Sequence, residues 1–162
     1  MKDKAVVVSI KELWEKSSES KKDFIKSVFY ADKLSVNQIK SILITQPLSE
    51  DCTLTENEKI ELYKKIMGGK EMAIKPHPRE TTDYSAYFPN YTLIKAKVPL
   101  ELLLLMGMNA EEAYTVFSTS IFDFPDNVEK HFVGTVVHPK LVTRYGRIEY
   151  KDGKVVGELY KS

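Results

Sequence analysis

The chain carries little that would mark a disulfide scaffold, a membrane protein or a nucleic-acid binder. Its 162 residues include one cysteine, Cys52, which excludes an internal disulfide and suits a reducing compartment. Nothing nearby marks Cys52 as an activated nucleophile, so a small loop residue is the plainer reading. The start, Met1-Lys2-Asp3-Lys4-Ala5-Val6-Val7-Val8, joins charge to an apolar run too short for a signal-peptide core. The longest greasy segment, Leu102 to Met106, falls far short of a bilayer span. Basic and acidic side chains nearly cancel, 24 against 23, and no basic stripe stands out, which argues against nucleic acid. There is no GxGxxG and no phosphate-cradling glycine loop, which weighs against dinucleotide and P-loop enzymes. No pair of histidines has metal-ligand spacing and no acid–histidine helix motif occurs, so no metal is expected. The expectation from these absences is one cytoplasmic domain, at most peripheral to the inner face of a membrane.

What is present reads as strands alternating with helices. Ala5 to Val8 is a short buried strand by pattern, and Phe24, Ile25, Val28 and Phe29 recur at helical spacing within a helix over Ser20 to Tyr30. Ser41 to Thr45 reads as a strand closed by Gln46-Pro47. Thr55-Glu56-Asn57-Glu58 is a capping box that opens a helix whose buried stripe is Ile60, Tyr63, Ile66 and Met67 and whose end is Gly68-Gly69. Strands follow at Glu71 to Lys75 and Thr92 to Val98, then a helix from Pro99 to Met106, with Pro99 in its first turn. Ala113 to Phe117 and Lys130 to Gly134 are further strands. At the tail, Asp152-Gly153 joins Arg147–Lys151 to Lys154–Tyr160 as a two-residue hairpin. The alternation predicts an α/β fold with a Rossmann-like parallel sheet flanked by helices and a C-terminal β-hairpin.

The stretch with most chemical content is Lys75-Pro76-His77-Pro78-Arg79-Glu80. Each proline disfavours helix for the residue before it, so Lys75 and His77 are pushed to extended geometry just beyond a strand. In an open parallel sheet that edge is where ligands bind. An imidazole fixed there among Lys75, Arg79 and Glu80 suits a phosphate-bearing ligand and proton transfer to it. Ser118-Thr119-Ser120 sets three hydroxyls at another strand end, where small donors suit phosphate oxygens if a helix follows, although serine and threonine are also ordinary turn residues. Glu50-Asp51 offers carboxylates in the loop after the first central strand, either as a base or as solvated acids. Glu101, in the first turn after Pro99, favours its helix dipole, and on the residues alone this role outweighs a ribose contact. His131, within a strand, and His138, before Pro139, lack the bracketing of His77.

Lys75-Pro76-His77-Pro78-Arg79-Glu80, followed by Phe117-Ser118-Thr119-Ser120, resembles bacterial sialyltransferases and more narrowly glycosyltransferase family 52, the lipooligosaccharide and capsular sialyltransferases. Leu43-Ile44-Thr45-Gln46-Pro47 and Val98-Pro99-Leu100-Glu101 add to the likeness, which runs from residue 41 to about 137. The resemblance implies the carboxyl-terminal, donor-binding half of a GT-B enzyme that uses CMP-sialic acid and no metal or cofactor. By that likeness His77 contacts the donor phosphate and assists departure of CMP. Lys75 and Pro78 line the nucleotide pocket, Glu101 meets the ribose, and Ser118, Thr119 and Ser120 hold phosphate oxygens. The family's acid-acid-glycine motif corresponds best to Glu50-Asp51-Cys52, with cysteine in place of glycine, and gives Asp51 as the base toward the acceptor hydroxyl. The acceptor-binding amino-terminal domain is expected to be absent from these 162 residues, with the glycan acceptor engaged through it and activity weak or lost. Two alternatives are a catalytically silent nucleotide-binding or assembly module, pairing as a homodimer through the tail hairpin and the Ser20–Tyr30 helix, and a transferase for another sugar nucleotide.

Overall fold

The computed structural model describes residues 8–158. The expected strand at Ala5–Val8 and the last two residues of the expected hairpin, Leu159 and Tyr160, fall wholly or largely outside them.

Two short helices come first, α1 (Ile10–Glu15) and α2 (Glu19–Val28), each with a serine at its N-cap, Ser9 and Ser18. Strand β1 (Ser41–Ile44) follows, then α3 (Glu56–Met67), β2 (Ala73–Lys75), a single turn α4 (Tyr84–Tyr87), α5 (Leu100–Leu105) and β3 (Glu112–Thr115). The chain continues through a 3₁₀ turn at Thr119–Asp123 into β4 (Glu129–Phe132), α6 (Pro139–Tyr145) and the hairpin β5 (Arg147–Lys151) and β6 (Lys154–Glu158). Strands β1 to β4 form one parallel sheet in the order β2-β1-β3-β4, and β5 and β6 form an antiparallel pair. Because β2 and β3 flank β1 on opposite sides, the strand order reverses at β1, the position where open α/β sheets bind ligands beyond their carboxyl ends.

Strand periodicity divides the core into two layers. Ile42 and Ile44 of β1, Ala73 of β2 and Ala113 of β3 face a cluster with Leu100, Leu102 and Leu103 of α5, against which Trp14, Ile25 and Phe29 pack. Leu43, Ile74 and Tyr114 face the other way, onto Ile60, Tyr63 and Met67 of α3 and Leu141 of α6. The capping box forms as its sequence dictates: Thr55 accepts from the Glu58 amide, Glu58 reaches back to the Thr55 amide, and Gly68 closes the helix at φ 56°. In the hairpin Asp152 and Gly153 both take positive φ, 51° and 76°, the two-residue turn that suits strand twist.

Two expectations need correction, and one histidine gains a role. Thr92 to Val98 is not a strand; it contributes a single parallel bridge, Leu93 to Ile74, because residues 96–97 turn the chain into α5 and leave no extended run to pair. The expected buried stripe of α2 is half realised: Ile25 and Phe29 pack inward, whereas Phe24 and Val28 are 68% and 52% exposed. His138 does have a structural duty, as N-cap of α6, where its Nδ1 accepts from the Lys140 amide.

Candidate active site

The register brings the expected chemistry to one edge. Ile44 pairs with Lys75 on one side and with Thr115 on the other, so β1, β2 and β3 end level. Lys75 and Thr115 are therefore two strand spacings apart, about 10 Å. The segments that follow, Pro76-His77 and Val116 to Ser120, leave the sheet at the same carboxyl edge, with Thr45 and Gln46 between them. Gln46 ties the middle together: its side-chain carbonyl accepts the Phe117 amide at 2.9 Å, and its own amide donates to the Tyr63 hydroxyl at 2.8 Å.

His77 begins a four-residue turn. Pro78 and Arg79 occupy its centre, where proline's fixed φ fits, and the Glu80 amide donates back to the His77 carbonyl at 3.0 Å. The Glu80 carboxylate returns to accept the His77 amide at 2.6 Å, and the Arg79 amide donates to His77 Nδ1 at 3.1 Å. A ring nitrogen that accepts carries no hydrogen, so the proton of the neutral imidazole resides on Nε2. His77 is half-buried and Pro78 exposed.

Lys75 is buried, with its ammonium donating to the carbonyls of Pro76 and Ala96. Burial pulls its pKa down to about 8, against the pull of Glu80 and Glu101 toward the charged form. Glu101 is exposed in the first turn of α5, near enough to act on Lys75, and lines a groove of about 750 Å³ with Trp14, Leu104 and Asp123.

The three hydroxyls differ in setting. Ser118 and Ser120 share a hydrogen bond of 2.7 Å, and the Ser118 amide donates to Thr115 Oγ1 at 3.3 Å, while Thr119 is exposed. The expected following helix is one 3₁₀ turn. Asp51 lies on the loop across from the His77 turn and pairs with Arg79, at 2.9 and 3.3 Å. Its neighbour Glu50 is engaged otherwise, by the Thr81 amide at 2.9 Å, Ser49 Oγ at 3.0 Å and Lys59. Burial tends to raise the Glu50 pKa, but these donors outweigh it and hold the carboxyl at about 2. Of the two acids, Asp51 is the one not committed to the interior.

Lys59 is the residue that sequence reasoning passed over. Its ammonium is fully buried and meets Glu50 at 3.0 Å, Glu80 at 3.3 Å and Thr82 Oγ1 at 2.7 Å. A signal was there: Lys59 stands one turn before Tyr63 on the inward stripe of α3, where a lysine demands an acid. Tyr84 completes the cluster by donating to Glu80 at 2.5 Å, and burial first, then the Tyr63 hydroxyl and the Glu80 charge, push its own pKa far up.

At the opposite edge, Glu112, Glu129 and His131 bring ligand atoms within 4.8 Å of one another. His131 Nε2 lies 3.3 Å from Glu129 but out of line for a hydrogen bond, and Lys70 already holds Glu112 at 2.8 Å. The ring of His131 stacks on Tyr114 at 4.2 Å. This group is remote from His77, since Glu112 and Glu129 begin their strands. No helix among the described residues is long and apolar enough to cross a membrane.

An uncharacterized protein of Haemophilus influenzae is 42% identical over 157 residues, covering 93% of this chain and 51% of that protein. The chain thus spans about half the length of the curated relative it matches. The model of glycosyltransferase family 52 matches residues 1–141, which include the His77 turn, the Ser118–Ser120 hydroxyls and the whole parallel sheet, and the chain belongs to that family.

Proposed function

We propose that this chain is the donor-nucleotide half of a GT-B sialyltransferase, binding CMP-sialic acid along the carboxyl edge of its parallel sheet and passing the sugar, with inversion, to a surface glycan such as lipooligosaccharide or capsule. The observation that carries this reading is the level ending of β2 and β3 on either side of β1, with His77 beyond one and Ser118–Ser120 beyond the other. A nucleotide lying across an edge about 10 Å wide can meet both groups.

In the reaction the bond from the sugar's anomeric carbon to the phosphate oxygen breaks, CMP departs as a phosphate monoester, and the acceptor oxygen bonds to the same carbon from the far face. Charge gathers on the phosphate oxygens as the sugar leaves, and preset donors there lower the barrier, one such donor being worth about 3 kcal/mol. His77 Nε2–H, the Ser118 and Ser120 hydroxyls and the Lys75 ammonium supply such donors. Full proton donation by His77 needs the imidazolium, and protonating Nδ1 breaks its bond from the Arg79 amide. Asp51 takes the acceptor proton, after parting from Arg79; that pair is solvent-facing and cheap to open. Glu101 reaches the ribose.

Calorimetry with CMP, and with UMP and AMP as controls, tests this. Preferential CMP binding that is weakened in His77→Ala far more than in His138→Ala is expected. Absence of CMP binding, or equal affinity for all three nucleotides, overturns it.

The second reading, a subunit-pairing module on the same fold, is favoured by the exposed Phe24 and Val28 of α2 and by Val155 and Val156 of β6. Sedimentation that shows a dimer in the native chain and a monomer in Phe24→Glu would support it, and monomers throughout would remove it.

A further inference from the structure

We infer that Glu80 is a positioning residue for His77, fixing which ring nitrogen carries the proton, and that Lys59 and Tyr84 exist at this place to hold Glu80. The inference rests on the reading in which His77 meets the donor phosphate.

Glu80 closes the His77 turn twice. Its backbone amide bonds the His77 carbonyl at 3.0 Å, and its side chain accepts the His77 amide at 2.6 Å. With both backbone groups of His77 tied, the chain has one path through Pro78 and Arg79, and that path sets the Arg79 amide 3.1 Å from Nδ1. The amide hydrogen occupies the Nδ1 lone pair, so the neutral ring is held as the Nε2–H form.

The carboxylate that does this is itself immobilised. Oε1 receives Lys59 at 3.3 Å and Tyr84 at 2.5 Å, Oε2 receives Thr45 Oγ1, and neither the Glu80 nor the Lys59 side chain is exposed at all. The groups come from four places: the end of β1, the first turn of α3, the turn after β2, and α4. Burying such charges costs more than well-packed apolar residues of similar size, so stability alone does not account for them. What they provide is a fixed carboxylate under a turn that the sequence would otherwise leave loose. A carboxylate on a mobile loop would let the Arg79 amide and the ring separate, and both tautomers would be populated.

Nitrogen NMR of the ring in histidine-labelled full chain reads the tautomer directly, with His131 and His138 as the remaining histidines for assignment. With its ring neutral, His77 of the native chain is expected to show a single Nε2–H form. Glu80→Ala should mix the tautomers and weaken CMP binding on the order of tenfold, while Glu80→Gln, which keeps an acceptor for the His77 amide, should restore most of both. A fixed Nε2–H signal in Glu80→Ala, or mixed tautomers in the native chain, overturns the inference. If Glu80→Ala does not fold, Tyr84→Phe removes one donor from Glu80 and keeps the ring; a partial shift toward mixed tautomers supports the inference and an unchanged signal overturns it. Because the tautomer needs no ligand, a native chain that ignores CMP would defeat the nucleotide reading and still leave the role of Glu80 decided.

Discussion

Lys59 and Glu80 meet at 3.3 Å with neither side chain reaching solvent, and a second acid, Glu50, shares the same ammonium at 3.0 Å. One helix thereby grips both loops that border the carboxyl edge, the one after β1 through Glu50 and the one after β2 through Glu80. Removing the lysine leaves two acids without their cation, which is far worse than removing the whole group. Lys59→Met is expected to cost about 3–5 kcal/mol in urea unfolding. Lys59→Met combined with Glu80→Gln should recover part of that loss. Strict additivity of the two single variants would mean that the pair is not coupled.

Lys75 gives the fold a basic-side signature. Its folded-state pKa, lowered by burial to about 8, lies below its ordinary value of 10.5. Between those values the unfolded chain holds a proton that the folded chain has released, so stability rises with pH across the window, by about 3 kcal/mol at its upper end. Below pH 8 both states are protonated and the slope vanishes. Lys75→Met should unfold with no such rise. Within the proposed function, CMP affinity should fall as pH climbs through the same value, since the ammonium that meets the phosphate is lost. Unfolding curves of both proteins from pH 7 to 10 check the first outcome, and calorimetry checks the second.

These two lysines also show where the sequence was readable. The alternation of strand and helix, the capping box at Thr55, the paired prolines at His77 and the Asp152-Gly153 turn are local signals, and each became the element it indicates. Failures occurred where a local pattern depended on a distant partner. Thr92–Val98 has strand composition, but it meets β2 at only one bridge. Phe24 and Val28 have helical spacing, but the layer they would cover is already filled by Ile25, Phe29 and α5. The ion cluster is legible only in part: Lys59 on the inward stripe of α3 signals a buried acid, but its partners at positions 50, 80 and 84 are joined to it only by the folding of α3 against the sheet edge. The edge itself was legible, because strand ends in a parallel sheet share one side.

Glu50 supplies the acid-side counterpart. Hydrogen bonds from Thr81, Ser49 and Lys59 outweigh the effect of burial and hold its folded-state pKa at about 2, against an ordinary 4.5. Its stabilisation is complete above pH 4.5 and is lost as pH falls toward 2. The loss should be on the order of 2–3 kcal/mol, since the side chain is only 15% exposed. Glu50→Gln should start less stable at pH 7 and lose less on acidification. Parallel curves for the two proteins between pH 5 and 2 would remove Glu50 from the acid transition.

Gly134 joins the parallel sheet to the hairpin and tolerates no side chain. It has φ 82°, its amide bonds the Val116 carbonyl at 2.6 Å, and a Cβ there would lie 2.5 Å from the Ile148 carbonyl oxygen. The next residue, the buried Thr135, fixes that approach by donating to the Gly146 carbonyl at 2.7 Å and accepting the Ile148 amide at 2.8 Å. An alanine must therefore bear a positive-φ, extended backbone, φ 82° and ψ 173°, a region held almost by glycine alone, and also push β5 off the residues it rests on. Gly68 supplies the control, with φ 56° and nothing within 4 Å of a Cβ. Gly68→Ala carries only the milder penalty of a left-handed helical backbone, about 1 kcal/mol, with no clash. Gly134→Ala should cost more than about 2 kcal/mol and expose the hairpin amides to hydrogen exchange before the sheet amides. Equal losses in the two variants, with exchange unchanged in the hairpin, would show that the close approach at Ile148 relaxes without consequence.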